Sequence, residues 1–159
     1  FLEGYLWDEG EPKSAFDKAI NNSKKVAMSL SDLFCVERHK SNFLNLVKNK
    51  LDITFANERE ITSLIEAKNF EEVISFGQQL GKMIIITRGE KGSIAVSKNE
   101  VVECDSLKNL EILDLTGAGD LFAAGYLHGY INGLSIKESL EKGTVMSAKI
   151  IQKIGARLD

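Results

Sequence analysis

The sequence predicts an α/β fold of three layers, helix–sheet–helix, around a mainly parallel central sheet. Two observations carry this expectation. Short apolar or β-branched runs of strand length recur along the chain, the clearest being Lys82 to Thr87 with Met83-Ile84-Ile85-Ile86 inside it. Between most of these runs lie stretches with apolar residues at helical spacing, such as Ala15, Phe16, Ala19 and Ile20. Strands buried on both faces read as continuous apolar runs, and the intervening helices must cover those faces.

Taken in order, Phe1 to Trp7 reads as a strand, and Pro12 suits the first turn of the helix that follows. Val26 to Leu30 is a short strand. Ser31-Asp32 then offers capping oxygens to one or two helices marked by Leu33, Phe34, Val36, Phe43, Leu44, Leu46 and Val47. Asp52 to Ala56 is the next strand and ends at Asn57. Ile61, Leu64 and Ile65 mark a short helix; Phe70, Val73, Ile74, Gly77 and Leu80 mark a second, before the Lys82–Thr87 strand. Gly92 to Ser97 and Val101 to Cys104 form a hairpin around Lys98-Asn99-Glu100. The apolar run Leu110 to Leu115 is read as a strand leading into a helix that begins near Leu121. Ser135-Ile136-Lys137-Glu138 has capping-box spacing and opens the last helix.

Composition narrows the functional classes. With 159 residues, 43% of them hydrophobic, the chain can bury one good core. Net charge is −3 and the charges are well mixed, with no basic stripe, which argues against nucleic acid as a partner. No apolar run is long enough to span a membrane. Cys35 and Cys104 lie far apart without metal-type spacing and read as reduced thiols of a cytoplasmic protein. The chain opens on Phe1 in a strand-like run, without a signal peptide, and is expected to be part of something longer.

Three polar or glycine-rich segments each follow a predicted strand at its carboxyl end: Asn57, Thr87 to Gly92, and Gly117 to Asp120. That edge is where open α/β sheets bind ligands. In Gly117-Ala118-Gly119-Asp120, small residues let backbone N–H groups approach an anion, and a helix amino end adds partial positive charge. A carboxylate beside that pocket can take a proton from a group attacking phosphorus. The plainer alternative is a strand-to-helix turn whose aspartate only complements the helix dipole. Asn57 and Glu60 likewise have the spacing of a simple capping box. His39 sits in a polar stretch and reads as a solvated helix turn, and His128 reads as structural.

The stretch Asp114-Leu115-Thr116-Gly117-Ala118-Gly119-Asp120, followed by Leu121-Phe122-Ala123-Ala124-Gly125, resembles the signature of the ribokinase-like, or PfkB, carbohydrate and nucleoside kinases. The resemblance implies a ribokinase-like fold and transfer of the γ-phosphoryl group of Mg·ATP to a sugar or nucleoside hydroxyl. It makes Asp120 the general base and the N–H groups of Gly117, Ala118 and Gly119 the anion hole. Asn57 and Glu60 match the family's Asn-x-x-Glu element, which implies phosphate contact for Asn57 and Mg²⁺ held through water by Glu60. Thr87, Gly89 and Gly92 match its nucleotide-contacting loop. Asp114 and Thr116 sit where many members bind an activating monovalent cation such as K⁺; the competing reading is that Asp114 fixes the loop by backbone hydrogen bonds.

The likeness covers nearly the whole chain but only the carboxyl-side half of a family member. It implies that residues 1–159 are the ATP-binding portion of a kinase domain, truncated on the amino-terminal side, with the substrate and lid portion absent. The segments Ser31 to His39 and Ile150 to Arg157 look most like adenosine-kinase-like bacterial sugar kinases. A fragment of this kind is expected to be inactive alone and to pair with a second copy of itself through the surface left uncovered. The alternative is a non-catalytic α/β nucleotide-binding or assembly module that kept the glycine turn for folding.

Overall fold

The computed structural model describes residues 1–158. Six strands join in one mostly parallel sheet, and six α-helices complete the three-layer α/β fold. The strands are β1 (Leu2–Glu3), β2 (Ala27–Ser29), β3 (Ile53–Asn57), β4 (Met83–Thr87), β5 (Ser93–Val96) and β6 (Val101–Cys104). They lie in the sheet in chain order, with β1–β2 and β2–β3 parallel. The helices are α1 (Pro12–Asn22), α2 (Leu33–Asn49), α3 (Glu58–Ile65), α4 (Phe70–Leu80), α5 (Ala118–Ile131) and α6 (Ile136–Ile151).

By contacts the chain divides into two compact units, residues 1–86 with 96–100, and residues 87–95 with 101 onward. In the first, Ile84, Ile85 and Ile86 of β4 are fully buried, as the continuous apolar run demands. Phe16, Met28, Leu30, Phe43, Val47, Ile61 and Leu64 bury their side chains from α1, β2, α2 and α3 and from the loop after β2. Each such side chain contributes about 1.5–3 kcal/mol through apolar burial. Helix starts are set by polar side chains: Asp32 accepts the N–H of Cys35, and Asn69 that of Glu72. Gly81 ends α4 in the left-handed conformation.

Two expectations change in this unit. The predicted strand Phe1–Trp7 is only two residues of strand; Gly4–Trp7 turns into a 3₁₀ helix. Apolar and aromatic composition could not distinguish the two because Trp7 packs edge-on against Phe16 and Phe43 from that turn. His39 is not a solvated turn residue. Its Nε2 lies 2.8 Å from Asp8 Oδ1, its ring rests near Trp7 and Phe43, and its non-helical backbone kinks α2.

In the second unit, Ile94, Phe122, Tyr126, Leu140 and Ile150 are buried, and α5 packs closely on α6. The approach is backbone to backbone: a Cβ built on Gly125 would lie 2.6 Å from the carbonyl oxygen of Lys142. Ser135 and Glu138 form the predicted capping box of α6. The predicted strand Leu110–Leu115 does not exist. The segment is irregular and leaves Ile112, Leu113 and Leu115 more than half exposed, so its apolar character serves no sheet.

Candidate functional site

The turn before α5 is shaped by a glycine whose conformation no other residue adopts easily. Gly117 caps the helix at φ 77°, and a Cβ there would stand 3.1 Å from Cβ of Ala156. Gly119, in contrast, lies in the first helical turn with open space where its Cβ would be. Gly117, and not Gly119, therefore makes the turn. Because the capping residue has no side chain, no side-chain cap closes the first turn. Such N–H groups are the ones a helix cannot satisfy internally, and they attract anions. Ala118 is partly committed, since its N–H donates to the carbonyl of Leu115 at 3.1 Å. Asp120 follows, exposed, and no side chain or backbone group among the described residues bonds to its carboxylate.

Upstream, Asp114 holds the loop in place. Its Oδ1 accepts the hydroxyl of Thr116 at 2.7 Å and the N–H of Thr116 at 2.9 Å, and its Oδ2 accepts the N–H of Gly155 at 2.9 Å. The Thr116 hydroxyl first, then these two N–H groups, hold the carboxyl down at about 2. The loop-fixing role foreseen for Asp114 is thus present in the geometry.

The Thr87–Gly92 segment forms a 3₁₀ turn over Gly89–Lys91. Gly92 has φ 85° and ψ −138°, and a Cβ there would lie 2.0 Å from the carbonyl oxygen of Cys104. Glycine is required at that point. The hydroxyl of Ser106 donates to the carbonyl of Glu90 at 2.7 Å, tying the turn to the strand exit after β6.

These pieces meet around one cleft of about 490 Å³, within the size range of small-molecule sites. Thr87, Gly89 and Gly92 line it from the turn, Ala118 and Gly119 from the start of α5, and Thr144, Ser147 and Ala148 from α6. The irregular 107–115 segment supplies Leu107, Leu110, Ile112 and Leu115. Sequence reasoning missed this apolar wall by assigning part of it to a strand. The lack of strict strand-like alternation in Leu110-Glu111-Ile112-Leu113-Asp114-Leu115 was the available signal.

Asn57 and Glu60 lie in the first unit and form a complete capping box at the start of α3. Asn57 N–H donates to Glu60 Oε2 at 2.9 Å, the Asn57 amide donates to Glu60 Oε1 at 2.5 Å, and Glu60 N–H donates to Asn57 Oδ1 at 2.9 Å. Glu60 is only 4% exposed, and that burial raises its carboxyl above the usual range despite the N–H of Asn57. Among the described residues no group of three or more His, Cys, Asp or Glu could hold a metal ion, and no helix is long and apolar enough to cross a membrane.

Comparison with known proteins gives the chain relatives in sequence and in fold. The family model described as "pfkB family carbohydrate kinase" matches residues 13–159. The crystal structure of adenosine kinase from Sinorhizobium meliloti is 37% identical and superposes with a TM-score of 0.93, covering 98% of this chain and 49% of that one. A probable sugar kinase from Rhizobium etli CFN 42 is 36% identical with a TM-score of 0.92, over 98% of this chain and 48% of the other. Cytidine kinase of Thermococcus kodakarensis is 32% identical over 136 residues, 83% of this chain and 49% of that protein. The chain therefore spans about half the length of these relatives.

Proposed function

The chain belongs to the pfkB family of carbohydrate kinases, and from that premise we propose that it carries the nucleotide site and general base of an ATP-dependent sugar or nucleoside kinase. The observation that carries the reading is the shared cleft. A glycine turn and the uncapped amino end of α5 line the same 490 Å³ space, and Asp120 adjoins its lining residue Gly119.

The chemistry follows from those parts. Phosphoryl transfer needs little more than positioning and stabilisation of charge on the transferred group. The N–H groups around Gly119 would receive that charge, with Gly117 fixing the direction of the helix and Ala118 contributing what its bond to Leu115 leaves. Asp120, exposed and without a partner among the described residues, would take the proton of an acceptor hydroxyl. Thr87, Gly89 and Gly92 would lie along the nucleotide.

The residues fit ATP in cleft size and in an open helix start. They also fit a Mg²⁺ that arrives on the phosphates and keeps most of its water, since such an ion needs few protein carboxylates. Glu60, in the first unit, has both its carboxylate oxygens engaged in the capping box. A monovalent cation near Thr116 would have to draw mainly on main-chain carbonyls, because both carboxylate oxygens of Asp114 are engaged.

The test is titration of the full-length protein with Mg·ATP, followed by assay of phosphoryl transfer to a panel of sugars and nucleosides. Saturable nucleotide binding and transfer to a hydroxyl acceptor are expected. A folded protein that binds no nucleotide would overturn the reading.

A further inference from the structure

We propose that the hydroxyl of Ser93 is a specificity group of the cleft, bonding the nucleoside moiety of the bound nucleotide and not its phosphates; this rests on the nucleotide reading above.

The starting point is a residue that folding alone does not explain. β5 is buried at every position: Ile94, Ala95 and Val96 are at most 1% exposed, and Ser93 is 3% exposed. Alanine would suit position 93 for packing. Instead the serine Oγ is buried with no hydrogen-bond partner among the described residues. Buried hydroxyls are almost always paired, and an unpaired one opposes folding.

Ser93 also lines the cleft. The other hydroxyls there are differently placed, and those of Thr87 and Ser147 belong to residues that are only half-buried. Ser106 already donates to the Glu90 carbonyl, and Thr144 lies 3.7 Å from the sulfur of Cys104. The backbone entering Ser93 runs close to β6, since a Cβ on the preceding Gly92 would lie 2.0 Å from the Cys104 carbonyl oxygen. A desolvated, unpaired hydroxyl on a residue of the cleft wall is the arrangement that rewards a ligand carrying the complementary atom.

The nature of that atom follows from the surroundings. The cleft is lined largely by apolar side chains, among them Leu110, Phe122 and Ile151. Such a wall accepts a flat heterocycle or a ribose and rejects a phosphate, whose charge it would strip of water. Phosphate is better served at Gly119, which is exposed at the helix start. A ring nitrogen, exocyclic amine or ribose hydroxyl therefore pairs with Ser93.

The experiment compares Ser93→Ala with the unmodified full-length protein in three measurements: thermal midpoint without nucleotide, affinity for Mg·ATP, and affinity for Mg·tripolyphosphate. The variant is expected to melt at the same or a higher temperature, to bind ATP about 3- to 10-fold more weakly, and to bind tripolyphosphate unchanged. Unaltered ATP affinity, equal weakening for both ligands, or a lowered melting temperature would each overturn the assignment. Failure of the unmodified protein to bind ATP would overturn the underlying reading as well, so the two failures are distinguishable.

Discussion

Oδ2 of Asp114 accepts the N–H of Gly155 across 41 residues of sequence, at 2.9 Å. The bond fastens the loop that precedes α5 to the segment that follows α6, and Gly117 meets Ala156 one residue further on. The carboxylate thereby sets where the amino end of α5 begins, without itself lining the cleft.

Asp114→Ala should accordingly loosen the loop while leaving the rest of the chain folded. The expected result is faster hydrogen exchange at the Thr116 and Gly155 amides, measured by NMR, with the α4 amides unchanged. The sign of the pH effect follows from the carboxyl being held at about 2, below the ordinary 3.8. A depressed acid stabilises fully above its unfolded value and loses that contribution as pH falls through the folded one. Wild-type protection at Gly155 should therefore decline between those two values, and the alanine variant should lack that step.

The two glycines of the 88–92 turn should respond differently. Gly89 has φ 58° with open space around its missing Cβ, so Gly89→Ala faces only the left-handed backbone penalty, about 1–2 kcal/mol. Gly92→Ala adds collision with the Cys104 carbonyl and should lose about 3 kcal/mol or more, or fail to fold. Urea denaturation of both variants decides it; equal stability would contradict the close approach at Gly92.

At the start of α3, Asn57→Ala removes the acceptor for Glu60 N–H and should reduce stability by about 1 kcal/mol. Asn57→Asp keeps a good capping oxygen but sets a second carboxylate against Glu60, whose acid is already raised by burial. A raised acid contributes stability below its unfolded value and loses it as pH rises through the folded one. The aspartate variant should thus lose stability relative to wild type at pH 7 and regain it as pH is lowered through the carboxylate range. Denaturant midpoints across pH would show this, and a constant difference would refute it.

How far the sequence carried can be judged from particular residues. Periodicity placed all six helices and the strands around Met28, Phe55, Ile85 and Ile94, because burial leaves a direct imprint on residue spacing. The Ser135–Glu138 and Asn57–Glu60 boxes were readable because a cap is a local chemical pattern. The segment from Leu110 to Leu115 was misread: its apolar residues line a cleft wall, and that use leaves no periodic trace. Ser93 was invisible for a related reason, since one hydroxyl in an apolar run gains meaning only once its neighbours in space are known. That Gly117 makes the turn and Gly119 does not was equally hidden, because composition shows two glycines and not which one has positive φ.

The last prediction concerns Asp120. It stands in the first turn of α5, exposed and without a bonding partner among the described residues, so its fold contribution is limited to the helix dipole, about 0.3–1 kcal/mol. Asp120→Asn removes most of that charge interaction and keeps the size, so the thermal midpoint should change little. If Asp120 is the base, turnover of the full-length protein should fall roughly 10²–10⁴-fold. Mg·ATP affinity should stay within a few-fold, because the N–H groups that meet the phosphates belong to the backbone. The combination is diagnostic: lost turnover with retained nucleotide binding places the residue in proton transfer, and lost binding with proportionate turnover places it in nucleotide contact. Wild-type turnover in the asparagine variant would leave the carboxylate as nothing more than a favourable charge at a helix end.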